Sequence, residues 1–254
     1  FLNKNGVQLK ENENFYLKFA DSVNVSIDSN ISFSLIGIDP RSTMQKSFNN
    51  YGCYEPLMVK KILKNVRETD IVYDIGAHIG YYSSIFNKLT KSKQVVSLEP
   101  DFYSTNLIKR NTNGRGIVVN KFIGSKLGYN TTTLNDLSST LNLEPSVIKM
   151  DIEGFEVEAF EGGWEIIRNF RPQIFLEIHP KFINKRNPTA FNKLIDELFQ
   201  LYNIEYARNH WGQIKGEETF HNEWEKATPD IIFKIANEII FNDKKPNAFA
   251  IHCF

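Results

Sequence analysis

Apolar residues along this chain fall into short runs separated by polar punctuation, and the period of those runs changes once. From Phe15 to Ile36 they alternate: Phe15, Leu17 and Phe19, then Val23, Val25 and Ile27, then Ile31, Phe33 and Leu35. A period of two, broken at Asp21-Ser22 and Asp28-Ser29-Asn30, predicts a small antiparallel meander. Residues 1–14 ahead of it are polar and have little to bury, which predicts a frayed lead-in. Glu55-Pro56 opens a predicted helix to Leu63, with proline suited to its first turn. Thereafter buried strands alternate with helices. Strands are predicted at 71–75, 95–99, 117–119, 147–151 and 172–178, and helices after Gly80 and over 102–111, 156–168 and 191–201. Ile204–Ala207 and Ala248–Cys253 complete seven strands, and residues 209–247 between them form a polar and aromatic insertion. Such alternation implies a parallel sheet with both faces covered. The expected organisation is an N-terminal β cap over 1–50 and an α/β domain over 51–254.

Length and composition narrow the class. A chain of 254 residues buries one good core or one core plus a small appendage. Thirty basic residues balance thirty acidic ones, so no global field favours nucleic acid or an anionic membrane. There is no apolar run of membrane-spanning length and no signal-peptide pattern. Cys53 and Cys253 lie far apart without metal-ligand spacing, so a reduced, cytoplasmic protein is expected. The chain starts with Phe1 and not Met, which is consistent with a fragment or with one domain of a longer polypeptide.

The candidate chemistry gathers at the carboxyl ends of the strands, where open α/β sheets bind ligands. Gly76-x-x-x-Gly80 makes a strand-to-helix turn, and Asp74, Glu99, Asp151 and Glu177 end strands. Glu99 lies nineteen residues beyond Gly80, the expected place for an acid that takes both ribose hydroxyls. The glycine spacing lacks the extra glycines of a pyrophosphate-binding turn, and Asp74 would repel a pyrophosphate. Both features suit a cationic nucleoside without phosphate, such as S-adenosylmethionine. The plainer reading is that Asp74 caps the turn and Glu99 caps the next helix.

These residues resemble the FkbM-type S-adenosylmethionine-dependent methyltransferases. The resemblance runs through Tyr54-Glu55-Pro56, Asp74-Ile75-Gly76-Ala77-His78-Ile79-Gly80, Glu99-Pro100 with Asn106 and Asn111, and Thr133-Leu134-Asn135-Asp136-Leu137. It is strongest at Ile148-Lys149-Met150-Asp151-Ile152-Glu153-Gly154-Phe155-Glu156 and from Arg171-Pro172 into Leu176-Glu177-Ile178-His179-Pro180. Two departures stand out: His78 replaces the usual Asn, and Asn135 the usual Asp. The resemblance implies a Rossmann-like, seven-stranded class I methyltransferase sheet that methylates a hydroxyl, often on a sugar. By position, Asp74, Gly76 and Gly80, with Ala77 and His78 between the glycines, would line the methionine part of the cofactor. Glu99 would take the ribose, and Pro100, Asp101 and Gly124 would border the adenine.

Asp151 is the first candidate for the base that deprotonates the acceptor, or for the group that orients it. Lys149 shares its strand face and is expected to pair with Asp151 or Glu177. Glu177 and His179 are the next candidates. Against these stand plainer roles: Glu153 and Glu156 suit a helix N-terminus, and His179 can simply hold a loop. A divalent metal on Asp151, Glu177 and His179 is an alternative that nothing in the spacing singles out, so no metal is expected. The insertion carries Arg208, His210, Trp211, Phe220, His221 and Trp224 among Gln213, Lys215, Glu217 and Glu218, and reads as the acceptor side or as packing for the sheet. The expected function is an S-adenosylmethionine-dependent O-methyltransferase with a sugar or glycoconjugate acceptor. The alternatives are an NAD(P)-dependent sugar oxidoreductase or epimerase, and a non-catalytic glycan-binding module. The glycine spacing, Asp74 and the lack of a placed Tyr-x-x-x-Lys pair oppose the first; the intact Asp74, Gly76, Gly80 and Glu99 oppose the second.

Overall fold

The computed structural model describes residues 22–27, 30–91, 94–187, 189–210, 223–242 and 248–254. Phe15, Leu17 and Phe19 of the expected meander, and the lead-in 1–14, lie outside these residues. Within them, β1 (Val23–Ser26) and β2 (Ser32–Leu35) pair antiparallel, with Val23 opposite Leu35 and Ser26 opposite Ser32. Val25 and Leu35 turn inward and are buried. Next come α1 (Thr43–Tyr51), whose first turn is capped by Ser42, and α2 (Pro56–Asn65).

The main body then runs β3 (Val72–Ile75), α3 (Tyr81–Leu89), β4 (Val95–Leu98), α4 (Phe102–Asn111), β5 (Ile117–Val119), β6 (Phe122–Ile123), β7 (Thr131–Thr132) and α5 (Leu134–Leu141). It continues with β8 (Val147–Met150), α6 (Glu156–Glu161), α7 (Trp164–Phe170), β9 (Gln173–Ile178), α8 (Pro180–Arg186), α9 (Ala190–Leu201), β10 (Ile204–Ala207), β11 (Glu225–Lys226), α10 (Pro229–Ile240) and β12 (Phe249–Cys253). Among the described residues the main sheet has eight strands in the order β11-β10-β12-β9-β8-β3-β4-β5. The five from β5 to β9 are parallel, while β12 is antiparallel to both β9 and β10. The eighth strand, beyond the seven expected, is β11, two residues paired to the edge of β10.

Every residue of β3, β4, β8 and β12 is buried, as a sheet covered on both faces requires. One core lies under α5 to α10; the other joins β1 and β2 to α2 and α3 through Val25, Leu35, Met58, Ile62, Ile85 and Phe86. The hairpin is therefore packed into the second core. Besides β11, the structure adds α1, β6, β7, α5 and α8 to the expected elements, and two expected segments differ. The helix predicted over 156–168 is broken into α6 and α7 at Gly162-Gly163, because the chain passes so close to β6 that a Cβ on Gly162 would sit 2.2 Å from the Gly124 carbonyl oxygen. The insertion contains α10, which buries Ile232, Ile235, Ala236 and Ile239.

Candidate active site

The sheet changes direction between β3 and β8, since β4 and β5 extend one way from β3 and β9 the other. This is where a ligand crevice forms. Asp151 N–H donates to the Ile75 carbonyl at 3.0 Å, drawing the end of β8 against the turn that follows β3. Gly76 makes that approach possible: its φ is 79°, and a Cβ there would lie 1.8 Å from the Asp151 carbonyl oxygen. His78, exposed and also left-handed at φ 50°, donates its N–H to Glu99 Oε2 at 2.9 Å. Glu99 Oε1 accepts from Asp101 N–H at 2.9 Å, so two backbone donors fix the carboxylate. Asn111 on α4 secures the turn from behind. Its Nδ2 donates to the Ile79 and Ile36 carbonyls (2.7 and 3.1 Å) and its Oδ1 accepts from Ile36 N–H (2.9 Å).

In front of this turn lies a cavity of about 580 Å³, within the usual size of small-molecule sites. Gly76, Ala77, His78, Glu99 and Pro100 line one part of it, Lys149 and Asp151 another. Residues the sequence reading left out of the site also line it: Asp39, Ser42 and Met44 before and within α1, then Tyr54, Tyr82, Phe122 and Phe155. Only long-range folding brings the α1 segment here, and no local pattern announces it. Tyr54 stands in the motif that opens the resemblance and was the one available signal.

Behind Asp151 is a compact charged cluster. Lys149 Nζ, itself buried, lies 3.5 Å from Asp151 Oδ2 and 4.7 Å from the centre of the Tyr82 ring. Burial works against the charge on Lys149, but Asp151 and Asp74 outweigh it and raise its pKa. Burial likewise opposes charge on Asp151, yet Lys149, His179 and His210 hold its carboxyl below the ordinary range. His179 Nδ1 lies 2.7 Å from Glu156 Oε1, which aims Nε2 at Asp151 Oδ1 (3.8 Å) and Glu177 Oε1 (3.7 Å). Burial disfavours the charged ring, but the Glu156 hydrogen bond and charge, with Glu177 and Asp151, push His179 up to about 9. Burial, then the charge of Asp151, push Glu177 up to about 7, against the pull of His210.

Other expected residues stand outside the cavity lining. Asp74 is fully buried behind the turn, where Oδ2 accepts from Ser83 at 2.6 Å, and it does not line the cavity. Gly80 begins α3 and packs on Ile108; a Cβ there would lie 3.1 Å from its Cα. Asp101 caps α4 by accepting from Ser104 N–H at 2.7 Å, and Gly124 packs on Thr131 and beside Gly162. Glu177 and His179 stand behind Asp151, with 5% and 4% exposure, and do not reach the cavity wall. In the insertion, Arg208 pairs with Glu238 at 2.7 Å, and Trp224 donates to the Leu57 carbonyl at 3.3 Å. Trp224 therefore packs against α2. Trp211, Gln213, Lys215, Glu217, Glu218, Phe220 and His221 lie outside the described residues.

Residues 121–206 match the family model of the methyltransferase FkbM domain. Over that stretch the chain is similar to methyltransferases of the FkbM type. Its fold is similar to that of methyltransferase FkbM from Methylobacillus flagellatus KT, at a TM-score of 0.50 and 16% identity, over 79% of this chain and 48% of that one. The chain thus spans about half the length of that FkbM protein. Precorrin-6y C5,15-methyltransferase from Geobacter metallireducens GS-15 is similar at a TM-score of 0.47 and 13% identity, over 79% of this chain and 86% of that one. No curated protein matches the sequence. The eight-stranded sheet among the described residues is the class I methyltransferase sheet with β11 added at its edge. Among the described residues no helix is long and apolar enough to cross a membrane.

Proposed function

We propose that the chain is an S-adenosylmethionine-dependent O-methyltransferase acting on a hydroxyl of a carbohydrate or glycoconjugate. One observation carries this reading: a single cavity joins the bare glycine turn and Glu99 to Asp151 and its buried lysine. The wall also fits the cofactor's charge. Among the described residues it offers four carboxylates, Asp39, Glu99, Asp151 and Glu153, and one lysine, Lys149, which already faces Asp151. Such a wall repels phosphate and favours a sulfonium and an ammonium. Gly76 to His78 would hold the methionine part, Glu99 the ribose and Pro100 the adenine side. When bound, S-adenosylmethionine supplies the electrophilic methyl group.

The chain's own residues would align the acceptor and take its proton. Asp151 lies on the cavity wall, kept ionised by Lys149 and His179, and would receive the hydroxyl proton. Glu177 and His179 would act through Asp151, by position and charge. Tyr54, Phe122 and Phe155 present aromatic faces suited to the apolar side of a sugar ring. Free Cys53 and Cys253 fit a reduced, cytoplasmic setting.

Calorimetric titration with S-adenosylmethionine and with NAD tests the cofactor, and labelled S-adenosylmethionine with a glycan panel tests the acceptor. Glu99→Ala should weaken S-adenosylmethionine at least about tenfold through the lost ribose hydrogen bonds. Asp151→Asn should keep that affinity within a few-fold and slow methyl transfer about 10²-fold or more. Binding of NAD alone would refute the reading, and unchanged turnover in Asp151→Asn would remove Asp151 as base.

A further inference from the structure

Glu177 has a second side, unused by methyl transfer. Its Oε1 faces His179, while its Oε2 lies 3.2 Å from His210 Nε2. The same His210 nitrogen lies 4.0 Å from Glu55 Oε1. These three side chains come from the start of α2, from β9 and from the segment leaving β10, and their exposures are 1%, 5% and 0%. Their donor atoms all lie within 4.8 Å of one another. Glu55 supplies the second observation. It stands at the N-cap of α2 but makes no capping hydrogen bond. Instead it turns inward, where Oε2 accepts from Tyr82 at 2.6 Å and Oε1, fully buried, has no hydrogen-bond partner among the described residues. An orphaned carboxylate oxygen in such a place is costly unless something positive meets it.

We propose that Glu55, Glu177 and His210 form a binding site for one divalent first-row metal ion. Donors on one ion with bonds of about 2.0–2.2 Å stand roughly 3.0–3.5 Å apart, so the 3.2 and 4.0 Å separations need only a small closure. A dication there would meet Glu55 Oε1 and Glu177 Oε2 together, while His179 faces the other oxygen of Glu177 at 3.7 Å and Lys149 stands 3.5 Å from Asp151. One imidazole with two carboxylates selects Zn²⁺ or Mn²⁺ over Mg²⁺ or Ca²⁺, which take oxygen ligands. The Tyr82 hydroxyl on Glu55 Oε2 is the outer contact that aims a ligating carboxylate. The ion would tie α2, β9 and the exit of β10 together. The site shares Glu177 with the cluster behind Asp151, but it does not depend on which acceptor or cofactor is assigned above.

The test is titration of the chelator-treated full chain with Mn²⁺ and with Zn²⁺, followed by electron paramagnetic resonance for Mn²⁺, calorimetry for Zn²⁺ and thermal unfolding for both. The expected result is one ion per chain, a raised unfolding temperature, and ¹⁴N coupling from an imidazole in the Mn²⁺ spectrum of the wild-type protein. Glu55→Gln and His210→Ala should each lower affinity at least about tenfold, while Asp151→Asn retains one ion within a few-fold. The proposal falls if the wild-type protein binds no ion, if the bound ion shows no nitrogen coupling, or if a folded Glu55→Gln variant binds unchanged. It falls too if Asp151→Asn abolishes binding, which would move the ion to Asp151, Glu177 and His179. His179 of the other triad would give the same nitrogen coupling, so the coupling tests for a histidine ligand. His210→Ala against Asp151→Asn tells the two triads apart, with His210→Gln as the second variant where His210→Ala fails to fold.

Discussion

At the scale of single residues, Gly76 carries the most consequence. Its left-handed φ alone makes a side chain cost about 1–2 kcal/mol, and the Asp151 carbonyl occupies the place of the missing Cβ. Gly76→Ala must therefore part the ends of β3 and β8, moving Asp151 away from the glycine turn. We expect a loss of about 2–4 kcal/mol of stability by urea unfolding, and a loss of S-adenosylmethionine affinity beyond tenfold by calorimetry. Gly80→Ala should be milder, because its φ of 86° carries a similar strain but the nearest atom, Ile108 Cα, would lie 3.1 Å from the new Cβ against 1.8 Å at Gly76. The turn and the strand-end acids were legible in the chain because each needs only a local pattern. That Asp74 lies behind the turn was not, since its Ser83 partner sits on α3 and direction depends on packing. Glu156 was read as a dipole acid, yet it holds His179; only the close approach of α6 to the end of β9 reveals that.

At the scale of elements, the β1–β2 hairpin and the α4 helix meet the ligand turn through one side chain. Asn111 serves Ile36 and Ile79 with three hydrogen bonds, so Asn111→Ala leaves one buried donor and two carbonyls without it. The expected cost is about 2–4 kcal/mol, read by urea unfolding. Hydrogen exchange at the Ile36 amide should quicken, and cofactor affinity should drop several-fold. An exchange rate at Ile36 equal to wild type would show that the hairpin holds without this link. The five parallel strands and β10, with α3, α4 and α9, were readable from period, whereas β6, β7, α5 and α8 were not among the expected elements. The α10 helix lies within the segment expected only as a polar and aromatic insertion. Its signal was nonetheless present: Thr228 caps, Pro229 opens, and Ile232, Ile235, Ala236 and Ile239 follow at helical spacing. The break between α6 and α7 had its sign in Gly162-Gly163, but the reason, the nearby Gly124 carbonyl, lies far off in sequence.

For the whole molecule, His252 couples the sheet to pH. It stacks on Phe175 with centroids 4.6 Å apart and bonds Gln173 Oε1 at 3.1 Å. Burial, then the charge of Lys61, press its pKa down to about 4 from the ordinary 6.5, although Glu205 opposes them. Between those values the unfolded chain binds the proton and the folded one does not, so stability is full above about pH 6.5 and falls as pH drops toward about 4. That span is worth roughly 3 kcal/mol. Urea unfolding at about pH 7 and pH 4.5 should show a smaller loss in His252→Phe than in wild type, and equal losses would exclude His252 as the source.

The position of β12 reaches further, into how the molecule assembles. It comes last of the strands along the chain, yet it lies between β9 and β10 in the sheet. The parallel strands from β3 to β9 can join as they are synthesised, but β10, paired with β11, reaches β9 in the native sheet only through β12. Until Phe249 to Cys253 arrives, β9 presents a bare row of backbone donors and acceptors, the kind of edge on which chains aggregate. Closure of this half of the sheet is therefore an act of insertion that waits for its final strand. A ribosome stalled before residue 249 would hold a nascent chain with its most adhesive edge uncovered.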